Sequence, residues 1–171
     1  MSRRVVGALI LLLWGSLAFS KDHIKDQAFF EDVTGQMVLE ALPQERFHAF
    51  TGVLNRGYSA STFWLRIRID PEGATDRLIL RVRPNYLDEV VLFDPMDGRA
   101  GGTVRGDEQR AQDRYQSLNL NFTLAAGNAP RDVWLRIRTD STLLVALEAL
   151  DLDARSGQIP CSSSSRVFIS P

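Results

Sequence analysis

The segment Phe63-Trp64-Leu65-Arg66-Ile67-Arg68-Ile69 changes character at every residue. Phe63, Leu65, Ile67 and Ile69 make one set; Trp64, Arg66 and Arg68 make the other. A period of two, carried by β-branched and aromatic side chains, predicts a strand with one face in a core. The pattern recurs. Leu78, Leu80 and Val82 alternate with Ile79, Arg81 and Arg83, and Leu118, Leu120, Phe122 and Leu124 alternate with Asn119, Asn121 and Thr123. Val133, Leu135 and Ile137 alternate with Trp134, Arg136 and Arg138. Val90 to Phe93 predicts a short apolar strand, a last strand falls within Leu143 to Leu152, and Gln36 to Leu39 is the candidate first strand. Turn chemistry separates the runs at Asn55-Arg56-Gly57-Tyr58-Ser59, Asp70-Pro71-Glu72-Gly73, Asp97-Gly98 and Gly127-Asn128-Ala129-Pro130. Pro43 opposes a helix across the connection 42–46. The polar, Gly-rich stretch from Arg99 to Arg114 reads as an exposed loop. Seven or eight short strands without a long helix predict an all-β fold. An antiparallel β-sandwich lets two sheets each bury one face; a jelly roll is one form of it and a closed barrel the alternative.

Residues 1–20 read as a signal peptide. Arg3 and Arg4 precede an apolar run from Val5 to Trp14, and Ala18 and Ser20 are small residues placed for a cut after Ser20. A spanning helix needs about 20 apolar residues, roughly twice this run. The expected domains are the signal peptide 1–20, a polar leader 21–35, a sandwich 36–153 and a C-terminal tail 154–171. The expected location is exported. With 20 basic and 21 acidic residues the chain has no electrostatic footprint for nucleic acid or an anionic membrane surface. The single cysteine, Cys161, excludes an intrachain disulfide, so the core alone must hold the fold.

No catalytic constellation is visible, and the chain reads as a non-enzyme without cofactor or metal. His23 and His48 are the only histidines and neither has metal-ligand spacing to a partner. His23 falls in the leader, and there is no Gly-x-Ser-x-Gly elbow. The glycines at 98, 101, 102 and 106 lack the Gly-Lys-Ser/Thr of a phosphate loop. Asp88 and Glu89 are adjacent, which in a strand points them to opposite faces.

Trp64 and Trp134 are the informative residues. Each stands opposite an aliphatic row, within two copies of Trp-Leu-Arg-Ile-Arg. An aromatic ring on an open sheet face stacks on a sugar ring or another flat ligand. Arg66, Arg68, Arg136 and Arg138 beside them can bind hydroxyl or carboxylate oxygens. The structural alternative buries the tryptophans under a covering loop and pairs the arginines with acidic residues across the sheet.

Gly57-Tyr58-Ser59, Phe63-Trp64-Leu65-Arg66, the run from Pro84 to Phe93, Asn121-Phe122-Thr123-Leu124 and Trp134-Leu135-Arg136-Ile137-Arg138 together carry a resemblance. The chain resembles the extracellular sensor domain, type 2, of bacterial seven-transmembrane receptors with diverse intracellular signalling modules. The resemblance implies a jelly-roll sandwich similar to carbohydrate-binding modules, placed in the periplasm outside the inner membrane. It implies a sensory input role, with a small-molecule, carbohydrate-like ligand, relayed to a cyclase, kinase or phosphatase module. It carries Trp64, Arg66, Tyr86 and Asp88 over as motif positions, and Arg66 with Asp88 is expected as a buried pair fixing two strands. The Ser-rich tail around Cys161 replaces the hydrophobic helices that such a receptor would continue into, so a truncated receptor is expected. The alternative function is a protein-interaction module that docks on a receptor ectodomain or self-associates.

Overall fold

The computed structural model describes residues 21–74, 76–98, 102–106 and 119–152. Alternation and turns build ten strands there: β1 (Ile24–Asp32), β2 (His48–Ala49), β3 (Val53–Tyr58), β4 (Thr62–Ile69), β5 (Arg77–Arg83), β6 (Glu89–Phe93), β7 (Thr103–Gly106), β8 (Leu120–Ala125), β9 (Arg131–Arg138) and β10 (Thr142–Asp151). They form two antiparallel sheets. The first has the order β2-β1-β4-β9-β6-β7 and the second β3-β10-β5-β8. The fold is an all-β sandwich.

The apolar sets read from the sequence face inward. Phe63, Leu65, Ile67 and Ile69 of β4 and Val133, Leu135 and Ile137 of β9 form one side of the core. Leu78, Leu80 and Val82 of β5, Phe122 and Leu124 of β8, and Leu143, Val145 and Ala149 of β10 form the other. Each fully buried Leu, Ile or Phe contributes about 1.5–3 kcal/mol through its area removed from water, so this layer dominates stability.

The N-terminal part departs from the sequence expectation. Residues 21–35 are not a leader: β1 pairs with β4 along almost its whole length, from Ile24 opposite Ile69 to Asp32 opposite Thr62. Ala28, Phe30 and Asp32 are buried while Lys25 and Asp26 are exposed, so polar ends masked a strand whose second half alternates. His23 is fully buried, with Nδ1 3.0 Å from the Asp70 carbonyl oxygen and Nε2 3.2 Å from Asp151 Oδ2. Asp70 follows β4 and Asp151 ends β10, so the ring bridges the two sheets.

Gln36 to Leu39 is not a strand. Residues 33–47 form a strap over the outer face of the first sheet, with short 3-10 turns at Leu39–Ala41 and Gln44–Arg46. Asp32 anchors it: its Oδ1 accepts from the N–H groups of Thr34 and Gly35 and the Thr34 hydroxyl, and its Oδ2 from the Met37 N–H at 2.8 Å. The signals at Asn55 and Gly57 mark a bulge inside β3 instead of a loop. The β10 pairing shifts there, and the Asn55 side chain accepts from the N–H of Gly57, whose φ is +67°. Part of the expected loop 99–114 is the edge strand β7, paired to β6 from Glu89 opposite Gly106 to Leu92 opposite Thr103. The expected signal peptide and tail lie outside the described residues.

Candidate functional site

On the outer face of the first sheet, one row of paired residues crosses five strands: Phe30, Trp64, Arg136, Val91 and Val104. The next row holds Ala28, Arg66, Trp134 and Phe93. An outer face this apolar needs a cover, and the strap supplies it. Met37, Leu39, Leu42 and Phe47 pack with Phe30, Trp64, Phe93 and Trp134 into a second, smaller core. Trp64 is 1% exposed, with its ring centre 5.5 Å from that of Phe93. The open stacking platform is thus overturned for Trp64; the covering-loop alternative describes its position. Trp134 is half-buried on the same face.

The cover is incomplete. Between the strap and β6–β7 lies a cleft of about 280 Å³. Trp64, Val91, Phe93 and Val104 give it apolar walls, and Glu40, Glu89 and Arg136 give it charge. Arg136 Nη2 donates to Glu89 Oε1 at 2.8 Å. The indole N–H groups of Trp64 and Trp134 are both buried and have no protein hydrogen-bond partner among the described residues. A buried donor left unpaired costs about 1–3 kcal/mol. Trp64 thus lines the cleft while its own N–H stays buried and unpartnered beneath the surface.

A second cleft, of about 410 Å³, lies at one end of the sandwich, lined by Tyr58, Ser59, Arg138, Thr139 and Asp140. Asp88 organises this rim: its Oδ2 accepts from the Thr139 hydroxyl and the Asp140 N–H, each at 2.8 Å. The Asp140 N–H and the Thr139 hydroxyl hold its carboxyl below the usual carboxylate range, against a smaller opposing effect of burial. A third cleft, of about 440 Å³, adjoins β2 and is lined by Phe29, Phe30, Arg46, His48 and Arg56.

A family model described as 7TMR-DISM extracellular 2 matches residues 25–151, most of the chain. The chain belongs to this family. Among curated proteins none matches it. As a 7TMR-DISM extracellular 2 domain it is an extracellular sensor domain of 7TMR-DISM receptors. No described helix is long and apolar enough to cross a membrane.

The sensor domain divides the residues singled out from the sequence into two groups. Trp64, Arg66, Arg68, Trp134 and Arg136 share the outer face of the first sheet. Tyr86, 39% exposed in the β5–β6 connection, and Asp88 lie apart from that face, and Arg138 lines the end cleft. The expected Arg66–Asp88 pair does not form. The Arg66 guanidinium lies 5.6 Å over the Phe47 ring of the strap, while Asp88 is exposed and bonded to the β9–β10 turn. Among the described residues the most buried arginine–carboxylate pair is instead Asp94–Arg131. Arg131 Nε reaches Asp94 Oδ1 at 3.0 Å and Nη2 reaches Oδ2 at 2.9 Å. Arg68 pairs with Asp132 at 3.1 Å, a cross-strand pair of the kind expected.

Glu40 and Val104 escaped the sequence reading, and Tyr58 entered it only within the Gly57-Tyr58-Ser59 piece. Glu40 reaches its cleft only because the strap folds back, and Val104 because the polar segment hides a strand. Tyr58, 82% exposed, was read as part of a turn.

Proposed function

We propose that this chain is the input module of a seven-transmembrane signalling receptor and that it binds a small carbohydrate-like molecule in the cleft beneath the strap. The mixed lining of that cleft, apolar walls beside the charged Glu40, Glu89 and Arg136, carries this reading. Apolar walls accept the carbon-rich face of a sugar ring, and Glu40, Glu89 and Arg136 offer complementary groups to its oxygens. In this reading Trp64 serves as a floor of the cleft and not as a flat platform. Arg66, Arg68, Tyr86, Asp88 and Arg138 then hold the scaffold or line other surfaces, and Trp134 and Arg136 support the cleft.

Isothermal titration with oligosaccharides and cell-wall fragments tests this. Binding that weakens about tenfold in Glu40→Gln or Arg136→Gln, at unchanged Tm, is the expected result. Absence of heat for every sugar class up to about 10 mM, or binding indifferent to both substitutions, overturns it.

A further inference from the structure

We propose that the cleft beside β2 is an anion site, binding a ligand that presents more than one carboxylate or phosphate oxygen to Arg46, His48 and Arg56. It shares no lining residue with the cleft beneath the strap and does not rest on the reading above.

β1 continues to Asp32, yet β2 covers only Ala28 and Phe29, so the edge of the sheet is open beyond Phe29. Three nitrogen-bearing side chains converge there. The Arg46 guanidinium lies 5.3 Å from the centre of the Phe30 ring and that of Arg56 lies 5.2 Å from the centre of Phe29. Phe29 and Phe30 are neighbours on β1 and so point to opposite faces, which brings the two guanidiniums to the edge from both sides. His48 is the β2 residue paired with Phe29, and their ring centres are 5.7 Å apart.

Stacking on a ring restrains each guanidinium while leaving its N–H edges free to donate, the geometry that suits bidentate oxyanion binding. Glu31, the one carboxylate of the lining, sits on Arg56 at 3.3 Å and also accepts from Ser59. The side chains of Arg46 and His48 have no ion-pair or hydrogen-bond partner among the described residues. The cleft therefore holds unmatched donors and an excess of positive charge.

Isothermal titration of the folded chain with citrate, with inorganic phosphate and with glucose 6-phosphate tests the site, glucose serving as the uncharged control. The expected result is a Kd below about 1 mM for at least one anion, weakened about tenfold by Arg46→Gln or Arg56→Gln. Arg105→Gln, which removes one positive charge from the opposite edge strand, should leave it unchanged. Glucose 6-phosphate binding more tightly than phosphate identifies the anion as part of a larger ligand; equal affinities identify a free anion. No heat from any of the three up to about 20 mM overturns the proposal, as does an equal loss in Arg105→Gln.

Discussion

Trp64 on β4 lies directly opposite Arg136 on β9, and Arg66 lies opposite Trp134. The two Trp-Leu-Arg-Ile-Arg copies are antiparallel neighbours centred on the pairing of Leu65 with Leu135, so each tryptophan faces the first arginine of the other copy. The surroundings break this local symmetry. Glu89 of β6 takes Arg136, while Phe47 of the strap lies beneath Arg66.

The Asp94–Arg131 pair is the most sensitive charge pair of the sandwich. Both side chains are largely buried, and Arg131 also donates to the carbonyls of Ala125 and Ala126. Asp94→Ala strands a buried guanidinium and should cost about 3–5 kcal/mol in chemical denaturation. Asp94→Leu combined with Arg131→Met should recover a large part of that loss.

Asp88 and Arg66 should behave independently. Asp88→Ala loses the cap on Thr139 and Asp140 and should cost about 1 kcal/mol. A double-mutant cycle with Arg66→Ala should show coupling below about 0.5 kcal/mol. A coupling several times larger would revive a direct pair.

Acid should loosen the strap before the core. Burial raises the Asp32 carboxyl pKa, but the Thr34 hydroxyl and the N–H groups of Met37, Gly35 and Thr34 together outweigh it and hold the carboxyl below its ordinary range. Asp88 is depressed as well. The unfolded chain then takes up more protons than the native one as the solution is acidified. The stabilisation is complete above the ordinary carboxylate range and is lost as pH falls through the lower native values. Tm measured from about pH 5 to about pH 2 should fall, and Asp32→Asn should flatten that slope while lowering Tm at neutral pH.

Gly102 should tolerate no side chain. Its φ is +68°, and an added Cβ would come within 2.6 Å of the Leu92 carbonyl oxygen and 2.8 Å of Val91 Cγ1. The left-handed backbone alone costs an alanine about 1–2 kcal/mol. Gly102→Ala should therefore displace β7 from β6, visible as faster amide exchange at Val91 and Val104.

The core was legible because its period is unambiguous: each alternating run from Phe63 onward has its described apolar residues in the interlayer, Leu118 lying outside the described residues. β1 was hidden because Lys25, Asp26 and Gln27 open it with polar side chains. β7 was hidden because a four-residue edge strand offers too few positions to show a period. The cleft beneath the strap was half legible. Its floor, Trp64 and Arg136, stands out in sequence, but the strap residues that close it reach it through tertiary packing. The Arg66–Asp88 expectation failed because a shared motif does not encode distance: Asp88 precedes β6, whereas Arg66 sits mid-strand on β4.

The histidine bridge has a mechanical consequence. The His23 N–H donates to the Ala149 carbonyl, the Ala149 N–H donates to Asp22, and the His23 ring touches Asp151. The points where the backbone enters and leaves the sandwich are thus fastened side by side. Tension on either end of the sandwich therefore passes to the other through two backbone N–H bonds and one imidazole, without having to deform either sheet.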